Sequence, residues 1–490
     1  MSADLQTRIG RLNDVLCAVN TLNWDARTQM PEGGAQTRGQ QIATLMGIAR
    51  EMILDPAMQD AVDAADGAEA EAVQAAIDHH ARLPAELLRA QAENATIAGA
   101  AWARARATSD FTVFQPHLEK VVSLARESAR ALGFEGHPYD PMVQTFEPGE
   151  TAASLDAFFG TLRAGILPVL DAARGRTPPR SDFLYRDYPP ELQKRFAADT
   201  AETLGYDFTR GRLDTTVHPF EVSFTRNDVR ITSRWTRDYL PMSIFGSIHE
   251  VGHALYEQGI APAHTRGAFA TDMIGLYAVG GTSFGMHESQ SRLLENHVGR
   301  SPAFWAAHFP RLRDTFPQQL GDVSEAEFVA AINRVEPGAI RVEADELTYD
   351  LHIMLRVRIE MGLMDGSLAV ADVPHVWREA MRADLGVEIE GDAQGCLQDV
   401  HWSSGYIGSF PTYTIGNATA ATLMAHFDAA RPDIRDALDR ADTGPLRDAL
   451  GQAVWRHGRS KTRAELLAAV GATANDPQPY LDYLRAKFAA

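Results

Sequence analysis

The sequence predicts a mainly α protein: one large helical body with a small β-hairpin near the middle of the chain. Three observations lead there. Long stretches consist of strong helix formers, strand-like alternation is best developed at one place, and no Gly/Ser- or Pro-rich linker divides the chain. The 490 residues are 45% hydrophobic and 23% charged, ordinary for a globular protein. Length alone would suggest about three domains. Without a linker or a repeat at a solenoid period, the expectation is a single domain over 1–490, with 1–130 as the one stretch that could stand apart as an N-terminal helical cap.

Taken in order, residues 55–107 are rich in Ala, Glu, Leu, Gln and Arg and read as long helices packed on one another with solvated acidic faces. Further helices are expected over 116–132, 151–173, 191–204, 323–334, 343–361, 374–384, 418–440 and 462–488. The strand signal is "TVHPFEVSFTRNDVRITSRW", 216–235. Val222 and Phe224, then Val229 and Ile231, alternate with polar residues on either side of an Arg226-Asn227 turn.

Composition narrows the function classes. Asp and Glu outnumber Lys and Arg by 65 to 46, a net charge of −19. So acidic a surface repels phosphate backbones and anionic lipid, which speaks against nucleic-acid and membrane partners. The two cysteines, Cys17 and Cys396, cannot build a disulfide framework and suit a reducing compartment. The N-terminus has no basic segment followed by an apolar core, and no run approaches the roughly 20 apolar residues of a membrane span. The expectation is a cytoplasmic protein.

One segment carries chemistry on its face. In "DYLPMSIFGSIHEVGHALYEQGI", Pro241 suits a first helical turn and Gly259 a C-terminal cap. Ile244, Ile248, Val251 and Leu255 fall in one narrow stripe, and His249 and His253 lie roughly 130–170° away from it. Four residues apart, the imidazoles are stacked one turn above each other, about 6 Å between Cβ atoms, so they can share one ion. Glu250 lies beside them, within reach of a water on that ion. This is the HExxH pattern of zinc metallopeptidases; the competing reading is two solvated histidines on a polar face. A catalytic ion needs a third protein ligand. Downstream, "GGTSFGMHESQSRLLENHVGR" offers His287, Glu288 and Glu295. His287 and Glu288 point about 100° apart, so only one can face the site. Glu288, Ser291, Arg292 and Glu295 share a face, which suits a buried polar seam or, equally, a plain Glu288–Arg292 ion pair.

Eight segments in sequence order give the chain a resemblance to the carboxypeptidase Taq family of HExxH metallocarboxypeptidases. They are "NWDARTQMPEGGAQTR" (23–38), "HPF" (218–220), "DVRIT" (228–232), "HEVGH" (249–253), "HESQSR" (287–292), "IRVEAD" (340–345), "GCLQDVHW" (395–402) and "SFPTY" (409–413). The resemblance implies a deep active-site groove built from residues 210–420, and one Zn2+ per chain held by His249, His253 and Glu288. Co2+ is expected to substitute. It implies Glu250 as general base, Arg341 as receiver of the substrate's terminal carboxylate, Tyr413 as its partner or a transition-state contact, and His218 lining the same site. Arg230 and His401 are implied at the substrate, with Asp228, Gln290, Asp345 and Asp399 in support. The implied activity is release of single residues from peptides with a free C-terminus, with broad specificity, by a homodimer. The alternative is a related HExxH oligopeptidase cutting internally.

The chemistry agrees. A divalent ion polarises the scissile carbonyl and lowers the pKa of water toward about 7, a carboxylate can carry the proton to the leaving amine, and a guanidinium grips a carboxylate with two parallel hydrogen bonds. Each key residue also has a structural reading: Arg341 as an i,i+4 partner of Asp345, Tyr413 as packing, His401 as a core histidine. Two departures from the family's pattern stand out. The interval 261–285 between "HEVGH" and "HESQ" is long, with His264 in it, and Ser409 stands where an aromatic residue is usual.

Overall fold

Helix formers dominate the chain, and helices dominate the fold. The computed structural model describes residues 3–489. Its backbone divides into two compact units. One comprises 1–80, 179–333 and 419–474, and the other 81–178, 334–418 and 475–490. Residues 1–130, the stretch considered as a cap, are thus shared between the units, parting at His80.

The first unit contains the HExxH helix, Leu240–Gly259. Its apolar stripe behaves as its spacing demands: Ile244, Ile248, Val251 and Leu255 are all buried, in a core with Trp305, Phe309 and Phe328. Beside it lies a three-stranded sheet of β1 (Gly211–Thr215), β2 (Glu221–Thr225) and β3 (Asp228–Ser233). The expected hairpin is β2–β3, antiparallel about the Arg226-Asn227 turn. β1 is an addition, pairing in parallel with β3 from Gly211↔Val229 to Thr215↔Ser233. Its "GRLDT" has little β-branched character; the neighbouring strand, not local propensity, makes it a strand. The long interval after the HExxH helix is held to the first helix, Ala3–Thr28, where Asn13 bonds Thr271 and Asn20 bonds the Ala278 carbonyl. In that interval His264 is half-buried, edge-on to Phe269.

Three expected helices have other bounds. The 343–361 helix runs Tyr349–Asp365, because the Asp345 carboxylate accepts from the Leu347 and Thr348 N–H groups ahead of it. The 418–440 helix begins earlier, as Pro411–Ala430, and stops before Pro432. The 462–488 helix is two pieces, Arg463–Ala469 and Gln478–Phe488, separated by a segment with Gly471 and Asn475 at positive φ. Among the described residues one helix, Ala152–Arg174, is long and apolar enough to cross a membrane by length and composition, which the sequence reading had not expected. Its Leu155, Leu162, Ile166 and Leu170 are fully buried in protein, and its Arg163 pairs with Asp384, as in a core helix.

Candidate functional site

The Phe284–Arg292 helix, N-capped by the Ser283 side chain, crosses the HExxH helix at Gly252. A Cβ there would meet the Gln290 carbonyl at 2.4 Å and the Ser291 Cα at 2.5 Å. Only glycine lets the two backbones come this close. The approach brings Glu288 onto the histidines: its Oε2 lies 3.5 Å from His249 Nε2 and 3.3 Å from His253 Nε2. These three side chains could hold a metal ion, with donor atoms all within 4.8 Å of one another. Donors about 2.1 Å from a tetrahedral ion lie about 3.4 Å apart, so the set has the spacing a divalent ion needs.

The remaining faces of His249 and Glu288 are held. His249 Nδ1 is 3.0 Å from Glu295 Oε2, and Arg300 donates to Glu295 Oε1 at 2.9 Å. Arg292 donates to Glu288 Oε1 at 2.7 Å, and Ser291 donates to Glu288 Oε2 at 3.2 Å. So the Glu288–Arg292 pair exists alongside the ligand geometry; the two readings of Glu288 are not exclusive. The helix continues as a wide π-type coil over Leu293–Gly299 that carries Glu295.

Electrostatics point the same way. Burial works against a charged His249 ring, but Glu288 and Glu295 override it and lift its pKa to about 10. Burial, with His287 and His249 adding to it, lowers His253 to about 3. Burial alone would raise Glu288, yet Arg292 and the imidazoles hold it well below the usual carboxylate range. The pocket thus attracts one positive charge where the three donors meet. Glu250 is 5% exposed, and burial pushes its pKa up to about 7.

The other residues of this unit stand as follows. His218 is exposed in the turn between β1 and β2, and its carbonyl accepts from Arg27. Arg230 on β3 grips Asp228 with Nε and Nη2 at 2.9 and 2.8 Å, its guanidinium over the Trp24 and Phe224 rings. Gln290 is buried and accepts from the Trp455 indole. Gly259, read as a cap, is the last helical residue instead; a Cβ there would meet the Trp455 ring at 2.7 Å.

In the second unit Arg341 is 6% exposed, in a short turn, Arg341–Glu343. Its Nε and Nη2 donate to Asp399 Oδ1 at 3.0 and 2.7 Å, and its Nη1 to the Tyr349 hydroxyl at 2.9 Å. The i,i+4 partner suggested by sequence, Asp345, is engaged in capping instead. Arg356, fully buried, takes the other oxygen of Asp399 at 2.7 Å. Tyr413 lies beneath Arg341, with the guanidinium 5.3 Å from its ring centre, and its hydroxyl is 3.1 Å from His401 Nε2. One carboxylate therefore faces two buried guanidiniums. Burial, against the pull of Asp399 and with Arg341 adding to it, pushes Arg356 down to about 10. Burial and Arg341 likewise push His401 down to about 4. A guanidinium has five N–H donors, so Arg341 keeps donors for a further anion.

The sequence reading missed Glu257, Arg300, Arg356 and Tyr349. Glu257 was within reach, four residues after His253 on the same helix. Arg356 was not, since its partner Asp399 lies 43 residues away.

A helical body whose HExxH helix meets a glutamate from a second helix defines a metallopeptidase. Comparison with known proteins specifies which. The chain matches the carboxypeptidase Taq (M32) metallopeptidase family over residues 4–488 and belongs to that family. It is 37% identical to "Thermostable carboxypeptidase 1" of Thermus thermophilus, over 95% of this chain and 94% of that protein. It is 34% identical to "Carboxypeptidase 1" of Bacillus subtilis, over 99% and 97%. The crystal structure of the M32 carboxypeptidase from Deinococcus radiodurans superposes with a TM-score of 0.94 at 38% identity, covering 99% of this chain and 98% of that one. The protein is a metallocarboxypeptidase.

Proposed function

We propose that the enzyme is zinc-dependent and releases single residues of broad identity from peptide C-termini. In this reading His249, His253 and Glu288 hold the ion, which Co2+ can replace. When bound, the ion supplies Lewis acidity to the scissile carbonyl and to the attacking water. Glu250 takes the proton from that water and passes it to the leaving amine. Arg341 receives the terminal carboxylate as two charge-assisted hydrogen bonds, with Tyr413, His401, Arg230 and His218 as further substrate contacts. The whole chain 1–490 works as one cytoplasmic peptidase domain, paired as a homodimer.

The observation that carries the exopeptidase reading is the excess of cation around Asp399. Two guanidiniums on one carboxylate, all buried, leave a place where an arriving anion is stabilised, and the anion every peptide end offers is its carboxylate. The test is a peptide library incubated with the zinc-loaded enzyme and read by mass spectrometry, in free-acid and C-terminally amidated forms. Free acids should lose single residues from the C-terminus and amides should persist; internal cleavage of both forms would defeat the reading. Metal analysis of the purified protein checks zinc, and light scattering checks the dimer.

A further inference from the structure

Behind His253, on the side away from Glu288, stands a chain of groups with no role in the reading above. His253 Nδ1 is 2.5 Å from His287 Nδ1, and the two rings are stacked at 25° with centres 4.6 Å apart. His287 Nε2 is 3.0 Å from Glu257 Oε1. Glu257 is 2% exposed and accepts from the Gly280 N–H at 3.1 and 3.0 Å, the Gly281 N–H at 2.9 Å and the Ser223 hydroxyl at 3.1 Å. Gly281 has a second part, since a Cβ on it would strike the His287 ring at 2.3 Å.

We infer that His287 and Glu257 are positioning residues that fix the orientation and tautomer of His253 for metal binding. The direction of the hydrogen bonds follows from the far end. Surrounded by N–H and O–H donors, Glu257 acts as acceptor, so His287 Nε2 carries the hydrogen and donates to it. His287 Nδ1 is then a lone pair, which only a hydrogen on His253 Nδ1 can satisfy. That leaves His253 Nε2 deprotonated and facing Glu288, the form a metal requires. His249 has Glu295 behind it in the equivalent place, 3.0 Å from its Nδ1. His287 therefore serves the site without being a ligand.

The inference rests on His253 being a ligand, and the test separates the two. Purified enzyme is stripped with a chelator, and its Zn2+ dissociation constant is measured by competition for the parent, His287→Ala, His287→Asn and Glu257→Gln. His287→Ala should weaken binding about 10- to 100-fold. His287→Asn keeps an acceptor close to the lost Nδ1 and should fall between it and the parent, which also guards against a misfolded alanine variant. Glu257→Gln, which places an amide N–H among donors, should weaken binding about tenfold. The visible spectrum of the Co2+ form should change in each. Folded variants that bind zinc within twofold of the parent, with lowered melting temperature alone, would overturn the inference. A parent that binds no divalent ion would overturn the metal-site reading itself.

Discussion

The histidine cluster and the arginine cluster are both buried and charged, and they are opposite in sign. Around the histidines, the carboxylates Glu250, Glu288 and Glu295 outnumber the guanidiniums Arg292 and Arg300, and a charged His249 makes up the difference. Around Tyr413, Arg341 and Arg356 outweigh Asp399. Unbalanced buried charge is costly, so each surplus states the sign of what the place receives: a cation in the first unit, an anion in the second. They also differ in scaffold. The first rests on two crossing helices; the second joins Arg341 in a short turn and Asp399 in a loop to two helices that carry Tyr349, Arg356 and Tyr413.

Four changes would break or sharpen that contrast. Glu250→Gln removes the proton carrier and no proposed ligand; kcat/KM should fall about 10²- to 10⁴-fold while the zinc content stays one per chain. A variant that loses its metal would make Glu250 part of the cation's surroundings instead. Arg341→Ala should lower kcat/KM more than tenfold, since each charge-assisted bond contributes about 1.5–3 kcal/mol, with zinc affinity unchanged. A loss below tenfold on free-acid peptides would remove the carboxylate role. Gly252→Ala forces the crossing helices apart; the overpacking should cost about 1–3 kcal/mol, read by denaturation, and weaken zinc binding. An unweakened zinc site would show that the helices can separate without moving Glu288. The smallest effect is expected at Asp322, where Arg180 and Arg186 meet on the surface. Asp322→Asn should leave the melting temperature nearly unchanged, because solvent screens exposed ion pairs, and leave activity alone, setting exposed ion pairs against the two buried clusters.

The difference in scaffold explains how much could be read in advance. His249, Glu250 and His253 were legible because a helix fixes angular spacing, and their free side follows from the stripe of Ile244, Ile248, Val251 and Leu255. The candidates His287, Glu288 and Glu295 came from the same arithmetic, which could not choose among them. The structure gives each a place: Glu288 beside both Nε2 atoms, Glu295 behind His249, His287 behind His253. Arg341 was placed on a helix with Asp345. It lies in a turn with Asp399 because Asp345 caps the helix that follows, and no local period announces a partner 58 residues away. β1 escaped for a related reason, as its strand character comes from β3.

By itself the sequence determined the helical class, the hairpin, the face that presents two imidazoles, and, through its ordered motifs, the family. Those properties depend on periods of 3.6 and 2 residues and on residue types along the chain. Only the tertiary structure decided that Gly252 is a crossing point, that Glu288 closes the set of three donors, that His287 and Glu257 stand behind His253, and that Arg341 shares Asp399 with Arg356. Each of these joins residues far apart in the chain. The energy of such contacts depends on ångström-scale approach and on burial, which a one-dimensional pattern does not contain.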